Sequence, residues 1–396
     1  MKATFLLCSL LLFNNLVKAA NDEDVIAKAK ALVADKKYET AFKLLDSVDT
    51  QNQKPDIVLL KEDIVLNYFV SSIMHQMFSL KDLKKNENIM DYRGKEGTTD
   101  IHYFEVDKVL DTLIKQYPEN CKLYKGLGDF YYEVDLKYGV NWMDKGEELY
   151  KLMETNFTKA TQGGCGDYLS YYILGYSMLT QKKYKESITP FLKSIELNKE
   201  YPSSHYNLAY AYLYADEREK ALQSAAKSLE LYQGVSYKSD AARMMAVINA
   251  ELGKDKESLS NYELANKIEP GNYYNLKPLV NIYLKNGSPK ATQVTKEFFL
   301  LGPTKPTIYD DLEDIFTANK KIDALTAFYK TQLDAFKTNN QVLGSLYFFL
   351  ARIYMESDKK QAKEYFLNAK DSFAKVFKSD NGVFKAIDEG IKKAEE

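Results

Sequence analysis

Tyr171-Tyr172-Ile173-Leu174-Gly175-Tyr176 and His205-Tyr206-Asn207-Leu208-Ala209-Tyr210 lie on top of each other at a spacing of 34 residues. The match runs on. Ser187, Phe191, Ser194 and Ile195 in the first stretch answer to Ala221, Ala225, Ser228 and Leu229 in the second. Self-similarity at a fixed period of this size marks a stack of supersecondary units, none of which can bury its apolar face alone. Small residues recur where the two helices of a unit cross closely, and large apolar residues fill the gaps between.

Leu-Gly or Leu-Ala early in the unit, with a small residue thirteen positions after the Leu, resembles the tetratricopeptide repeat. In that family the eighth, twentieth and twenty-seventh positions are small, and the fourth, seventh, eleventh and twenty-fourth are large. A unit starting at Tyr168 places Leu174, Gly175, Ser187, Phe191 and Ser194 in this register. One starting at Pro202 places Leu208, Ala209, Tyr212, Ala221 and Ser228, and one from Ser239 places Met245, Ala246, Ser258, Tyr262, Ala265 and the closing Pro270. Units outside these three match less fully. Cys121 starts a good first helix with Tyr124, Leu127, Gly128 and Tyr131, but its second helix arrives late. The resemblance implies an all-α fold, a right-handed superhelical solenoid of about seven to eight antiparallel helix pairs. It divides the chain into a leader at 1–19, divergent repeats at 20–120, the best repeats at 121–272, and divergent repeats with a cap at 273–396.

The N-terminus reads as a secretory signal peptide. Lys2 precedes the apolar run Phe5-Leu6-Leu7-Cys8-Ser9-Leu10-Leu11-Leu12-Phe13, and Val17-Lys18-Ala19 supplies a small-residue cleavage site. The run is too short to span a bilayer, and no later segment approaches the ~20 apolar residues a span requires. The expectation is therefore an exported protein, periplasmic or secreted. Loss of the leader moves the net charge from −2 to −4, a mild balance that argues against a nucleic-acid partner. Only Arg93, Arg218, Arg243 and Arg352 are arginine, which weighs against phosphate-gripping clusters.

Cys121 and Cys165 remain after the leader. In the repeat register each lies at or just before the first helix of consecutive units, and such helix starts are neighbours in a stack. Two readings stay open: a disulfide, as an oxidising compartment permits, or two inert thiols. A helix is expected from about Pro55 to Lys84, followed by a polar loop over residues 85–102. Trp142, in an insertion over residues 135–145, is read as packing between helices. Leu301-Gly302-Pro303-Thr304-Lys305-Pro306 is expected to end a helix firmly.

No enzymatic chemistry is legible. His75, His102 and His205 are far apart, and the chain has no His-Glu-x-x-His, Gly-rich phosphate loop or Gly-x-Ser-x-Gly. No metal site, cofactor or catalytic residue is expected. Asn156-Phe157-Thr158 is a glycosylation sequon, relevant only in a eukaryotic host.

In the resembling family the first helices line the inner surface at the second, fifth, ninth, twelfth and thirteenth positions, with the sixth contributing. Carried onto this chain, the Cys121 unit presents Lys122, Lys125, Asp129, Tyr132 and Glu133. The Tyr168 unit presents Leu169, Tyr172, Tyr176, Leu179 and Thr180, and the Pro202 unit presents Ser203, Tyr206, Tyr210, Leu213 and Tyr214, beside Asn207. Tyrosine offers apolar area at low entropic cost and keeps a hydroxyl for hydrogen bonding, which suits a groove that grips a peptide or a glycan. The competing reading is that these tyrosines pack between helices. A chaperone-tail clamp is incomplete, because Lys277 and Asn281 lack the matching residues that should follow. The reading that results is a non-enzymatic scaffold or adaptor binding a protein or peptide through Tyr132, Tyr172, Tyr176, Tyr206, Asn207, Tyr210 and Tyr214. A carbohydrate-binding envelope protein is the alternative.

Overall fold

The computed structural model of the chain describes residues 21–95 and 100–396, so the expected leader lies outside the described residues. The described residues from Asn21 to Lys199 form one compact unit and Glu200–Glu396 another. The first unit pairs α1 (Asp22–Ala34) with α2 (Tyr38–Val48), then α3 (Pro55–Tyr68) with α4 (Val106–Gln116). It continues with α5 (Cys121–Tyr138) and α6 (Glu148–Gln162), and closes with α7 (Tyr168–Thr180) and α8 (Tyr184–Leu197).

The second unit begins with α9 (Pro202–Tyr214) on α10 (Arg218–Leu231) and α11 (Val235–Glu251) on α12 (Asp255–Ile268). Next come α13 (Tyr273–Lys285) with α14 (Ala291–Leu300), and α15 (Pro306–Ala318) with α16 (Ile322–Ala335). The last pair, α17 (Asn340–Tyr354) and α18 (Lys359–Ala374), is covered by α19 (Gly382–Glu395). The described residues thus hold nine pairs and a covering helix. The sequence register finds fewer because the terminal pairs keep the helices but lose the marker residues.

The crossings are made as the register requires. A Cβ at Gly175 would lie 2.8 Å from the ring of Phe191, one at Gly128 would lie 2.9 Å from Phe157, and one at Gly344 would lie 2.7 Å from Phe373. Ala209 and Ala246 take the same position and are fully buried. The turns repeat as well. In six pairs the first helix ends on a left-handed residue: Lys36, Lys182, Asp216, Gly253, Gly287 or Lys320. Each time the next amide reaches back five residues, as in Lys183 N to Met178 O at 2.9 Å and Glu217 N to Tyr212 O at 2.9 Å. This is the Schellman closure, which satisfies carbonyls that a helix end leaves unpaired.

The helix expected to reach Lys84 stops at Tyr68. Phe69 is extended, and Arg93 donates to the carbonyls of Asn67 (2.8 Å) and Phe69 (3.3 Å), closing the helix end. A small antiparallel sheet follows, in the order β1 (Ser71–Ile73), β2 (Met77–Ser79), β3 (Ile101–Tyr103). Ser71 faces Ser79 and Phe78 faces His102. The expected polar loop therefore ends in a strand. Trp142 is fully buried against Phe130 and Tyr131, and its indole donates to Met74 O at 2.8 Å. Its packing role stands. The break at Leu301–Pro306 separates α14 from α15, as expected.

Lys61 locks α3 onto α2. Its ammonium is buried between the rings of Phe42 and Phe104 and donates to Asp46 and Asn52, both at 2.6 Å. Paired and hydrogen-bonded, a buried charge of this kind is tolerated.

Candidate functional site

In the first unit the first helices α1, α3, α5 and α7 are successive neighbours. Two depressions open on their shared face. The wider, about 650 Å³, lies between α1 and α3 and is bordered by Lys122. The narrower, about 230 Å³, lies between α3 and α5 and is lined by Glu62, Asp63, Leu66, Asn67, Lys125, Asp129, Tyr132, Glu133 and Leu169. Four of the five inward positions of the Cys121 unit, with Leu169 from the next, thus meet around one cleft, while Lys122 borders the other. The α3 contribution was missed, because α3 carries no small-residue register from which to align it. At Gly126 the two helices approach closely, and a Cβ there would come 2.8 Å from Leu59 and 3.3 Å from Glu62.

The cleft is strongly acidic. Lys125 pairs with Asp129 at 2.7 Å and approaches Asp167 at 3.6 Å. Burial nevertheless pushes the Asp129 carboxyl up to about 6, against the pull of Lys125. Burial also raises Glu62, well above the usual carboxylate range, with Asp129 and Asp63 adding repulsion. Asp63 and Glu133 are raised by burial too.

Beside the cleft, tyrosines gather on a second carboxylate. Tyr176 donates to Asp135 at 3.0 Å, and Tyr150 bonds the same group. Burial raises both phenols, Tyr150 to about 12. Tyr132 meets Tyr176 edge-on at 6.1 Å, while Tyr172 stacks on Tyr176 at 6.4 Å. Tyr172 is only 7% exposed and packs on Phe191, so it supports this cluster rather than presenting a ring to a ligand. Tyr150 and Asp135 escaped the sequence reading: the insertion after α5 shifts Tyr150 out of register, and Asp135 falls two positions beyond the last inward position of its unit.

The second unit carries a row of rings. Tyr206, Tyr210 and Tyr214 follow one another up α9, with centroids 5.5 Å and then 6.1 Å apart. Tyr232 meets Tyr206 at 6.0 Å and stacks on Tyr237 at 5.2 Å. Tyr214 is 58% exposed and Tyr237 62% exposed, whereas Tyr206 and Tyr210 are half-buried. Asn207 is half-buried beside Tyr206. Farther along, Arg243 lies over the ring of Tyr274 at 5.4 Å. Lys277 pairs with Asp311, and Asn281 accepts from Asn319 at 2.8 Å, so both residues of the rejected clamp are engaged within the chain.

Cys121 and Cys165 are joined as a disulfide, Cα to Cα 5.7 Å, tying the start of α5 to the loop before α7. Gly163 makes the approach possible, for a Cβ there would come 2.4 Å from Cys121 Cβ. Asn156 of the sequon is buried in α6 and donates to Leu152 O at 2.8 Å, so the folded chain does not offer it for glycosylation. Among the described residues, no group of three or more His, Cys, Asp or Glu converges as metal ligands. No described helix is long and apolar enough to cross a membrane.

No family model matches the sequence, and no curated protein matches it. Solved structures do resemble it in part. YrrB, a TPR protein with an unusual peptide-binding site, is 19% identical over 44% of this chain and 81% of its own, with a TM-score of 0.38. A tetratricopeptide repeat protein from Parabacteroides merdae is 15% identical over 69% of this chain and 99% of its own, at 0.41. PilF of Pseudomonas aeruginosa is 13% identical over 64% of this chain and 94% of its own, at 0.42. The assignment rests on the chain itself. Its 34-residue period, its glycine-on-phenylalanine crossings and its shared turns give it an all-α helical-repeat fold like that of tetratricopeptide repeats.

Proposed function

We propose that this chain is an exported, non-enzymatic scaffold that binds a protein or peptide through the face of its first helices, in envelope or secretory-pathway assembly. The observation that carries the reading is the tyrosine row of the second unit. Tyr210 and Tyr214 stack at 6.1 Å, and Tyr214 and Tyr237 each keep more than half of their surface open. Aromatic side chains with few rotatable bonds, fixed by neighbouring rings, give contact area at little entropic cost. Export is supported by the leader-like N-terminus and by the Cys121–Cys165 bond, which suits an oxidising compartment.

The test replaces Tyr210, Tyr214 and Tyr237 with serine and repeats affinity capture from the native compartment. A partner captured by the natural chain should be lost while circular dichroism is unchanged. Undiminished capture of that partner would remove the tyrosine row from the account.

A further inference from the structure

We propose that the cleft between α3 and α5 receives a cationic side chain, lysine or arginine, of a bound peptide. The inference rests on the reading that the first-helix face binds a peptide, and it adds the chemistry of one subsite.

Four carboxylates line about 230 Å³, and one lysine faces them. Lys125 is spent on Asp129 and Asp167, so Glu62, Asp63 and Glu133 have no ion pair among the described residues. Asp63 at least accepts from Asn67 at 2.9 Å, and Glu133 feels Arg93 at longer range. Glu62 has neither. It is 6% exposed, has no hydrogen-bond partner among the described residues, and lines the cleft. A carboxyl so placed is costly to charge, so it holds its proton unless a cation comes to it.

That cation is organic rather than a metal ion. The acids are spread along the cleft and do not converge as ligands. Asn67, Tyr132, Leu66 and Leu169 make up the remaining walls, and the last three suit the methylene stem of a long basic side chain. Tyr132 also offers a ring to the charged head. Guanidinium can fork across two carboxylates, while ammonium acts as a point charge, and both satisfy the same need.

The experiment measures fluorescence anisotropy of labelled tetralysine, tetraarginine, tetraserine and tetraglutamate peptides with the purified mature chain. Either basic peptide should bind, more weakly as salt rises, and the neutral and acidic peptides should not. Glu62→Gln with Glu133→Gln should weaken the basic peptide by about tenfold or more, the scale for a desolvated charge pair losing one partner. Glu119→Gln with Glu186→Gln, the same charge change at exposed sites, should leave it within about twofold, as expected for screened surface charge. Should the cleft variant fail to fold, Leu169→Lys supplies a cation in place and should block binding equally. Basic peptides that bind no tighter than tetraserine would overturn the proposal, as would equal weakening by the cleft and surface variants. Because these probes need no natural partner, failure here leaves the tyrosine row untouched. Partner loss on replacing that row leaves this cleft untouched in turn.

Discussion

Replacing Cys121 and Cys165 with serine together should destabilise the first unit by about 4 kcal/mol. The bond spans 44 residues of chain, enclosing all of α5 and α6. Closing a loop of that size removes about 13 cal/mol/K from the unfolded chain, or about 4 kcal/mol at room temperature. Serine keeps the small side chain that Gly163 admits, so no new clash offsets the loss. Trp142 is the sole tryptophan and is buried on α5, so its emission follows this unit alone. In a urea titration with a slope of about 2 kcal/mol per M, the midpoint should fall by about 2 M. Reducing the natural chain should produce the same shift. Identical midpoints for natural and variant chains, or two titratable thiols in the non-reduced protein, would refute the reasoning.

Gly175→Ala should destabilise by about 1–2 kcal/mol even though alanine favours helix, because its methyl would meet the buried Phe191 ring at 2.8 Å. Restoration of stability by a second change, Phe191→Leu, would confirm that contact in thermal melts. Lys182→Gly should stabilise by about 1 kcal/mol in a urea titration, since Lys182 holds φ 62° at a turn where glycine carries no strain. Glu62→Gln should raise the melting temperature at pH 8 and leave it unchanged near pH 4. Glu62 in the fold holds its proton above the ordinary carboxylate range, so the penalty of charging it grows only as pH rises past about 4. Melts at both pH values check the sign, and the same variant should weaken basic peptides, so stability and binding should move in opposite directions.

The repeat was legible because its markers are steric. Gly175, Ala209 and Ala246 each sit where two helices cross, and no larger residue fits. The same steric rule explains why the outer pairs escaped. Their turns need only one left-handed residue, and in this chain Lys36 and Lys320 fill it without the glycine that would announce it. The sheet was illegible for a different reason: three-residue strands are too short to show alternation, and Ser71–Ile73 reads as the tail of a helix. At the site, Lys125, Asp129, Tyr132 and Glu133 could be placed on one face from the register alone. Glu62 and Asp63 could not, because their helix shares no marker with the others, and Tyr172 was placed on the face although it is buried against Phe191.

The most direct test of the first-helix face is site-specific photocrosslinking in the native compartment. A photoreactive phenylalanine at Tyr214, on α9, is compared with one at the exposed Gln223, on the second helix α10. The account predicts one recurrent protein or peptide adduct from position 214 and none from 223. An adduct from 223 alone, or the same adduct at equal yield from both, would contradict it.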